Sequence, residues 1–311
     1  VTRRQRQMCI RDSINGDGHL DIYICNTKKV GFDTTENIPN QCFINDGFGQ
    51  FKERAEELGL DYCGRSVQGY FFDYDLDGDL DMYLVNAPAE EVSINNNLQA
   101  AKSTFITEKN HNDFDDLLYE NDNGLFIDVT EKVGITDLHG FGLSAIIHDF
   151  NNDNYPDIFV ANDFYASDKL WINKAGVSFD DQTSKWFDKQ TLFSMGSELM
   201  DLNQDLTLDI LVADMAPSSM YLTKTRKPYL SFQWNEAFEE IFGVEQISNN
   251  AAYLAKDGHF YNIADALGVD KTDWTWSVIS GYFSNSTSPE VFFTNGLKRA
   301  VDDLDEIMQL S

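Results

Sequence analysis

The sequence predicts an all-β fold of repeated four-stranded antiparallel sheets, and three observations carry that prediction. An aspartate-rich nonapeptide occurs four times, each copy running directly into a short stretch of β-formers. An Asn/Gly hairpin signal follows each copy downstream. The two elements recur together at intervals of tens of residues, which is how repeated sheets are written along a chain. Together they describe the blades of a β-propeller.

The clearest nonapeptide places Asp73, Asp75, Asp77, Asp79 and Asp81 before the run Met82–Val85. A second sets Asp149, Asn151, Asp153 and Asp157 before Ile158–Ala161, and a third sets Asp201, Asn203, Asp205 and Asp209 before Ile210–Ala213. Near the start, Asn15, Asp17 and Asp21 precede Ile22–Cys25, with Ser13 where the other copies have a first aspartate. Oxygen donors at loop positions 1, 3, 5 and 9, with a tight turn at position 6, suit a hard cation such as Ca²⁺. Carboxylates so concentrated in one turn repel each other unless a cation lies between them. An EF-hand would need a bidentate Glu at position 12. Here that position holds Ile24, Leu84, Val160 and Val212, each inside a β-like run. The loops are therefore expected to join two strands, and these sixteen residues are the candidate metal ligands. The Asp73 loop, with five aspartates and Gly78, should be strongest. Asn154 and Leu206 replace that glycine in the next two, and the first loop should be weakest.

The second element reads Asn45-Asp-Gly-Phe-Gly-Gln-Phe51, then Asn121-Asp-Asn-Gly124, Asn173-Lys-Ala-Gly176 and Asp257-Gly258. Asn and Gly tolerate the positive φ that tight hairpins need. Each blade thus reads as strand, metal loop, strand, strand, hairpin, strand, over residues 14–296. The first blade is expected to lack its first strand. A fifth begins at Trp274 and has lost every loop carboxylate but Glu290, so no metal is expected there. Residues 1–13 are basic, lack the repeat pattern and are expected to be non-native. Residues 297–311 carry Leu297, Val301, Leu304 and Met308 at helical spacing, and further blades are expected beyond them.

The chain has 311 residues and a formal charge of −29, from 23 basic against 52 acidic side chains. Nucleic acid is therefore excluded as a partner, and anionic membrane surfaces are poor ones. No stretch approaches the ~18 apolar residues of a membrane span. Cys25, Cys42 and Cys63 show no metal spacing and are expected as free thiols. Loops of this kind function where calcium is millimolar, at the cell surface, in the periplasm or outside. The five histidines are scattered and no GxSxG elbow is present, so a binding module is favoured over an enzyme. Two long connections, residues 86–114 and 214–250, fall between second and third strands, on the face opposite the metal loops. The second carries Tyr221, Tyr229, Phe232, Trp234, Phe238 and Phe242. Long insertions on a rigid scaffold are where recognition tends to sit, so a protein or glycan ligand is expected there.

These loops and hairpins resemble FG-GAP/VCBS repeats, the calcium-binding propeller blades of integrin heads and many bacterial surface proteins. Val212-Ala-Asp-Met-Ala-Pro217, Thr272-Asp-Trp-Thr-Trp276 and Phe293-Thr-Asn-Gly-Leu-Lys-Arg299 are further similar to bacterial relatives of the cartilage acidic protein (ASPIC/UnbV-associated) family. The resemblance implies a calcium-stabilised propeller serving interaction. Its alternatives are a carbohydrate-active hydrolase or lyase and a structural segment of a larger envelope protein.

Overall fold

The computed structural model describes residues 8–10 through their backbone, and residues 12–26, 38–87, 115–136, 140–163, 166–219, 239–284 and 287–296. It is an all-β, propeller-like fold of sequential antiparallel sheets. Sheet one contains β1 (Met8–Ile10), β2 (Ile22–Cys25), β3 (Gln41–Asn45) and β4 (Phe51–Glu53). Sheet two contains β5 (Ser66–Phe72), β6 (Asp81–Asn86), β7 (Leu117–Asp122) and β8 (Leu125–Asp128). Sheet three contains β9 (Gly142–His148), β10 (Asp157–Asn162), β11 (Lys169–Asn173) and β12 (Phe179–Asp181). In each, neighbours in sequence are neighbours in the sheet, so the metal-type loop joins strands one and two.

The chain divides into two compact units. The first, residues 1–160 with 169–181, is organised about β6. Met82 and Leu84 pack with Tyr23, Leu117 and Phe126 on one face, while Tyr83 and Val85 pack with Ile158 and Trp171 on the other. All four β6 side chains are fully buried. A strand covered on both faces needs a continuous apolar run rather than alternation, and a run of that kind stands directly after each aspartate-rich loop.

The second unit, residues 161–168 and 182–311, holds β13 (Lys189–Thr191), which pairs parallel with β17 (Glu245–Ile247). Sheet four is β14 (Ser197–Met200), β15 (Asp209–Val212), β18 (Ala251–Lys256) and β19 (His259–Asn262). Sheet five has three strands, β16 (Met215–Ala216), β20 (Asp273–Gly281) and β21 (Glu290–Asn295). Phe187 stacks on Phe260 at 4.9 Å and meets Tyr253 edge-on at 5.0 Å. The hairpins between third and fourth strands turn through paired positive-φ residues, Asn123-Gly124 and Asp257-Gly258 as two-residue connections between right-twisted strands, and Ala175-Gly176 within the longer connection from β11 to β12.

One expectation is corrected. The first blade does not lack its first strand: Met8–Ile10 pairs antiparallel with Tyr23–Cys25, because the free edge of β2 can be completed by any extended backbone. The two ends of the 214–250 connection form β16 and β17. The aromatic cluster from Tyr221 to Phe238, most of residues 86–114 and the helix expected over 297–311 lie outside the described residues.

Candidate metal centre

The four loops share one hydrogen-bond pattern, set by short polar side chains that turn back on their own backbone. In the second loop, the Asp73 carboxylate accepts from the N–H groups of Asp77 at 3.1 Å and Gly78 at 3.0 Å. Asp75 also accepts from Asp77, and Asp77 from Asp79. Asp149, Asn151 and Asp153 repeat these bonds to Asp153, Asn154 and Tyr155. Asp201, Asn203 and Asp205 repeat them to Asp205, Leu206 and Thr207. In the first loop Ser13 Oγ accepts from Gly18 N–H at 2.8 Å, so the hydroxyl keeps one bond of the missing aspartate. Position 6 is left-handed in every loop, at Gly18, Gly78, Asn154 and Leu206. Position 4 is left-handed as well, at Gly16, Leu76, Asn152 and Gln204. Leu76 and Gln204 carry no turn chemistry, so this second reversal was invisible in the sequence.

Position 9 has a different task. Asp21, Asp81, Asp157 and Asp209 are almost wholly buried, and each fastens its loop to the third strand. One Asp81 oxygen accepts from Tyr74 N–H at 3.0 Å, the other from Asn121 N–H at 2.9 Å. Asp157 does the same for Phe150 and Asn173, and Asp209 for Leu202 and Ala255. Asp21 fastens Ile14 and Asn45, both at 2.8 Å. Burial pushes the Asp81 carboxyl up to about 7 and Asp157 up to about 6, although both accept two N–H bonds that favour the charged form.

Oxygens of Asp73, Asp75 and Asp81 lie within 4.8 Å of one another. Among the described residues no other group of three His, Cys, Asp or Glu side chains converges so closely. Asp77 and Asp79 stay outside that trio. Asp79 Oδ1 is buried with no hydrogen-bond partner. Desolvation raises the Asp79 and Asp75 carboxyls, and the neighbouring acids Asp73 and Asp77 add to it. By contrast Asp17 is lowered, chiefly by the N–H of His19, and Asp205 chiefly by the amide of Asn203. Asparagine at position 3 therefore relieves its loop, while Asp75 crowds the second one. A set of hard oxygen donors, mutually repelling and holding an orphaned acceptor, fits a divalent cation.

The opposite ends of the second strands carry a device the sequence reading missed. Five residues after position 9 stand Asn26, Asn86, Asn162 and Asp214, all buried. Each donates its backbone N–H to a side chain just before the third strand: Asn40 at 2.7 Å, Asp116 at 2.7 Å, Asp168 at 2.9 Å and Asn250 at 2.8 Å. This latch closes the second-to-third connection whatever its length. The constant offset of five was present in the sequence and was the signal available. His148, read as a strand residue, ends β9 half-buried with its ring edge-on to Phe150.

The FG-GAP-like repeat family matches residues 14–84 and 149–212, so the chain carries repeats of that family in two regions. No curated protein matches the chain. Among solved structures it is similar to an Agrocybe aegerita lectin that recognises non-reducing terminal N-acetylglucosamine, at 12% identity and a TM-score of 0.42, covering 94% of this chain and 58% of that one. It is also similar to the Bacillus licheniformis rhamnogalacturonan lyase PL11, at 11% identity and a TM-score of 0.42, covering 93% and 55%. The chain thus spans a little more than half the length of each.

Proposed function

We propose that this chain is a calcium-stabilised interaction module of a cell-surface, periplasmic or extracellular protein, a bacterial relative of the cartilage acidic protein group. The observation that carries the reading is the convergence of Asp73, Asp75 and Asp81 within 4.8 Å beside the unpartnered Asp79 Oδ1. Asp73, Asp75, Asp77, Asp79 and Asp81 would hold the cation there, with Asp149, Asn151, Asp153 and Asp157, Asp201, Asn203, Asp205 and Asp209, and Asn15, Asp17 and Asp21 forming the weaker sites. A bound Ca²⁺ supplies charge compensation that lets the loop carboxylates stay ionised. The protein's own contribution is the preformed Asx-type turn and the buried position-9 staple, which hold the donors in place without the metal. The connections over 86–114 and 214–250 take the protein or glycan ligand in this reading, because the metal loops leave them free to vary.

Calorimetric titration with calcium and melting curves with and without chelator test the metal half. With a dissociation constant near ~10⁻⁴ M and ~2 mM calcium, each strong site adds roughly 1.8 kcal/mol by mass action. Asp77→Ala should remove more of the calcium-dependent shift than Asp205→Ala. No heat of binding and a chelator-indifferent melt would overturn it. The recognition half predicts calcium-supported hits on a glycan or surface-protein array without turnover of a polysaccharide panel. Calcium-dependent cleavage would favour an enzyme instead.

A further inference from the structure

The third strands of sheets one to three each end in an asparagine whose side chain ties its own sheet together. Asn45 donates from Nδ2 to the Leu20 carbonyl at 3.1 Å and accepts from Gly47 N–H at 3.0 Å. Asn121 donates to the Leu80 carbonyl at 3.1 Å and accepts from Gly124 N–H at 2.7 Å. Asn173 donates to the Pro156 carbonyl at 3.1 Å and accepts from Gly176 N–H at 2.8 Å. In each case the carbonyl is position 8 of the sheet's own loop, and the N–H belongs to the hairpin that follows. Among the described residues only Asn173 reaches further: its Nδ2 also donates to the Tyr74 carbonyl at 2.8 Å. Tyr74 is position 2 of the Asp73 loop, so an amide of sheet three is fixed to the metal-type loop of sheet two.

Two more contacts press the same hairpin onto that loop. Gly176 lies so close that a Cβ there would stand 2.7 Å from Asp75 Cα and 2.9 Å from Asp75 Cβ. Its counterpart Gly124 also has positive φ, yet a Cβ there would meet nothing within 4 Å. The Tyr74 ring sits 6.1 Å from that of Phe179, where β12 begins. Tyr74 is thereby held at both backbone groups, its N–H on Asp81 and its carbonyl on Asn173, and all three residues are buried. That carbonyl belongs to the peptide plane that carries Asp75, so fixing it fixes the point from which the Asp75 carboxylate projects.

We propose that Asn173 and Gly176 are positioning residues for the cation site of the preceding repeat, so that the Asp73 centre is built by two sheets rather than one. The inference rests on the calcium reading above. Oxygens of Asp73, Asp75 and Asp81 lie within 4.8 Å of one another, and like charges at that range repel. An Asp75 free to move would swing away from the other two. The bond to Tyr74 and the glycine contact hold its backbone in place, which spares the cation the cost of gathering its ligands. Linkage makes the effect reciprocal: a cation that fixes Asp75 also fixes the hairpin of sheet three. The first loop has no such tie from sheet two, because Asn121 and Gly124 stay within their own sheet.

Calorimetric titration with calcium tests this in the full chain carrying Asp17→Ala, Asp153→Ala and Asp205→Ala, which take a ligand from each of the other loops. Asn173→Ala should weaken the remaining site about tenfold, the low end of what outer-shell partners contribute. Asn45→Ala loses the equivalent bonds within sheet one and should leave that affinity unchanged. Gly176→Ala should weaken binding as well. Gly124→Ala carries the same left-handed strain in open space, so it should lower the melting temperature but not the affinity. Hydrogen exchange reads the reverse direction and needs no substitution in sheet three: calcium should slow exchange at Gly176 N–H and leave Gly47 N–H as it was. Absence of any calcium binding would sink the calcium reading and this inference together. Calcium bound with unchanged affinity in Asn173→Ala and Gly176→Ala, or equal responses at Gly47 and Gly176, would overturn the two-sheet site and leave the calcium reading standing.

Discussion

Sheets two and five share a hairpin and differ in nearly everything attached to it. β5–β6 and β20–β21 have the same six-pair register and the same bulge. Yet the loop of the first holds five aspartates and that of the second holds none. Glu290 nevertheless accepts the N–H of Ser284 at 2.6 Å, in the manner of Asp81 with Tyr74. The carboxylate at position 9 thus keeps its structural task where every other loop ligand has gone. Strand pattern and staple set the hairpin register; the metal-type loop is carried on it and can be lost without disturbing it.

The largest expected effect separates the two staples. Asp81→Ala strands the N–H groups of Tyr74 and Asn121 in a buried site, at ~1–3 kcal/mol for each. Glu290 makes its bond at the surface, where water can replace it, so Glu290→Ala should cost far less. Thermal melts of both variants in metal-free buffer check this. Equal losses would mean that burial of the staple is not what distinguishes the sheets.

The second test concerns the latch, which is complete in sheets one to four. Asp168 accepts from Asn162 N–H at 2.9 Å and Thr191 Oγ1 at 3.0 Å, with Ser194 beside them. Burial still pushes its carboxyl up to about 7, against those bonds. A raised folded-state value means that the folded chain holds the proton more tightly than the unfolded one. The stability this adds is full below the ordinary carboxylate range near 4 and is lost as pH rises toward 7. Asn40 and Asn250 fill the same place as neutral amides, so Asp168→Asn should fold normally and melt with a shallower fall between pH 4 and 7. An unchanged slope would place the pH sensitivity elsewhere, with Asp81 and Asp157 the next candidates.

Legibility followed the locality of the interaction. The nonapeptides, the Asn/Gly hairpins and the apolar runs are contiguous, and strand order, loop placement and the two-sided burial of β6 could be read from them. The latch joins residues up to 36 positions apart, as in Asp214 and Asn250, and only its constant offset from position 9 betrays it. Left-handed Leu76 and Gln204 could not be read at all, because their side chains do not demand that geometry; the bonds from positions 1 and 3 impose it. The pairing of β1 escaped for a related reason. Residues 8–10 have no repeat pattern, and a strand edge accepts backbone rather than sequence.

The smallest expected effect returns to the loops. Gly78 and Leu206 occupy the same turn position at φ 102° and 73°, yet only glycine reaches that region without strain. Leu206 is 94% exposed, so its side chain gains no packing to offset the conformation. A left-handed residue with a Cβ costs on the order of 1–2 kcal/mol, and glycine returns about 0.5–1 kcal/mol of that through its greater freedom in the unfolded chain. Leu206→Gly should therefore raise stability by less than about 1 kcal/mol, and Leu206→Asn, which copies Asn154, should raise it slightly too. The gain should appear without calcium, because the turn forms through Asp201 before any cation is bound. Melting curves that improve only when calcium is present would instead mean that the Asp201 loop is not preformed, and that cation binding, rather than the Asx bonds, drives Leu206 into the left-handed region.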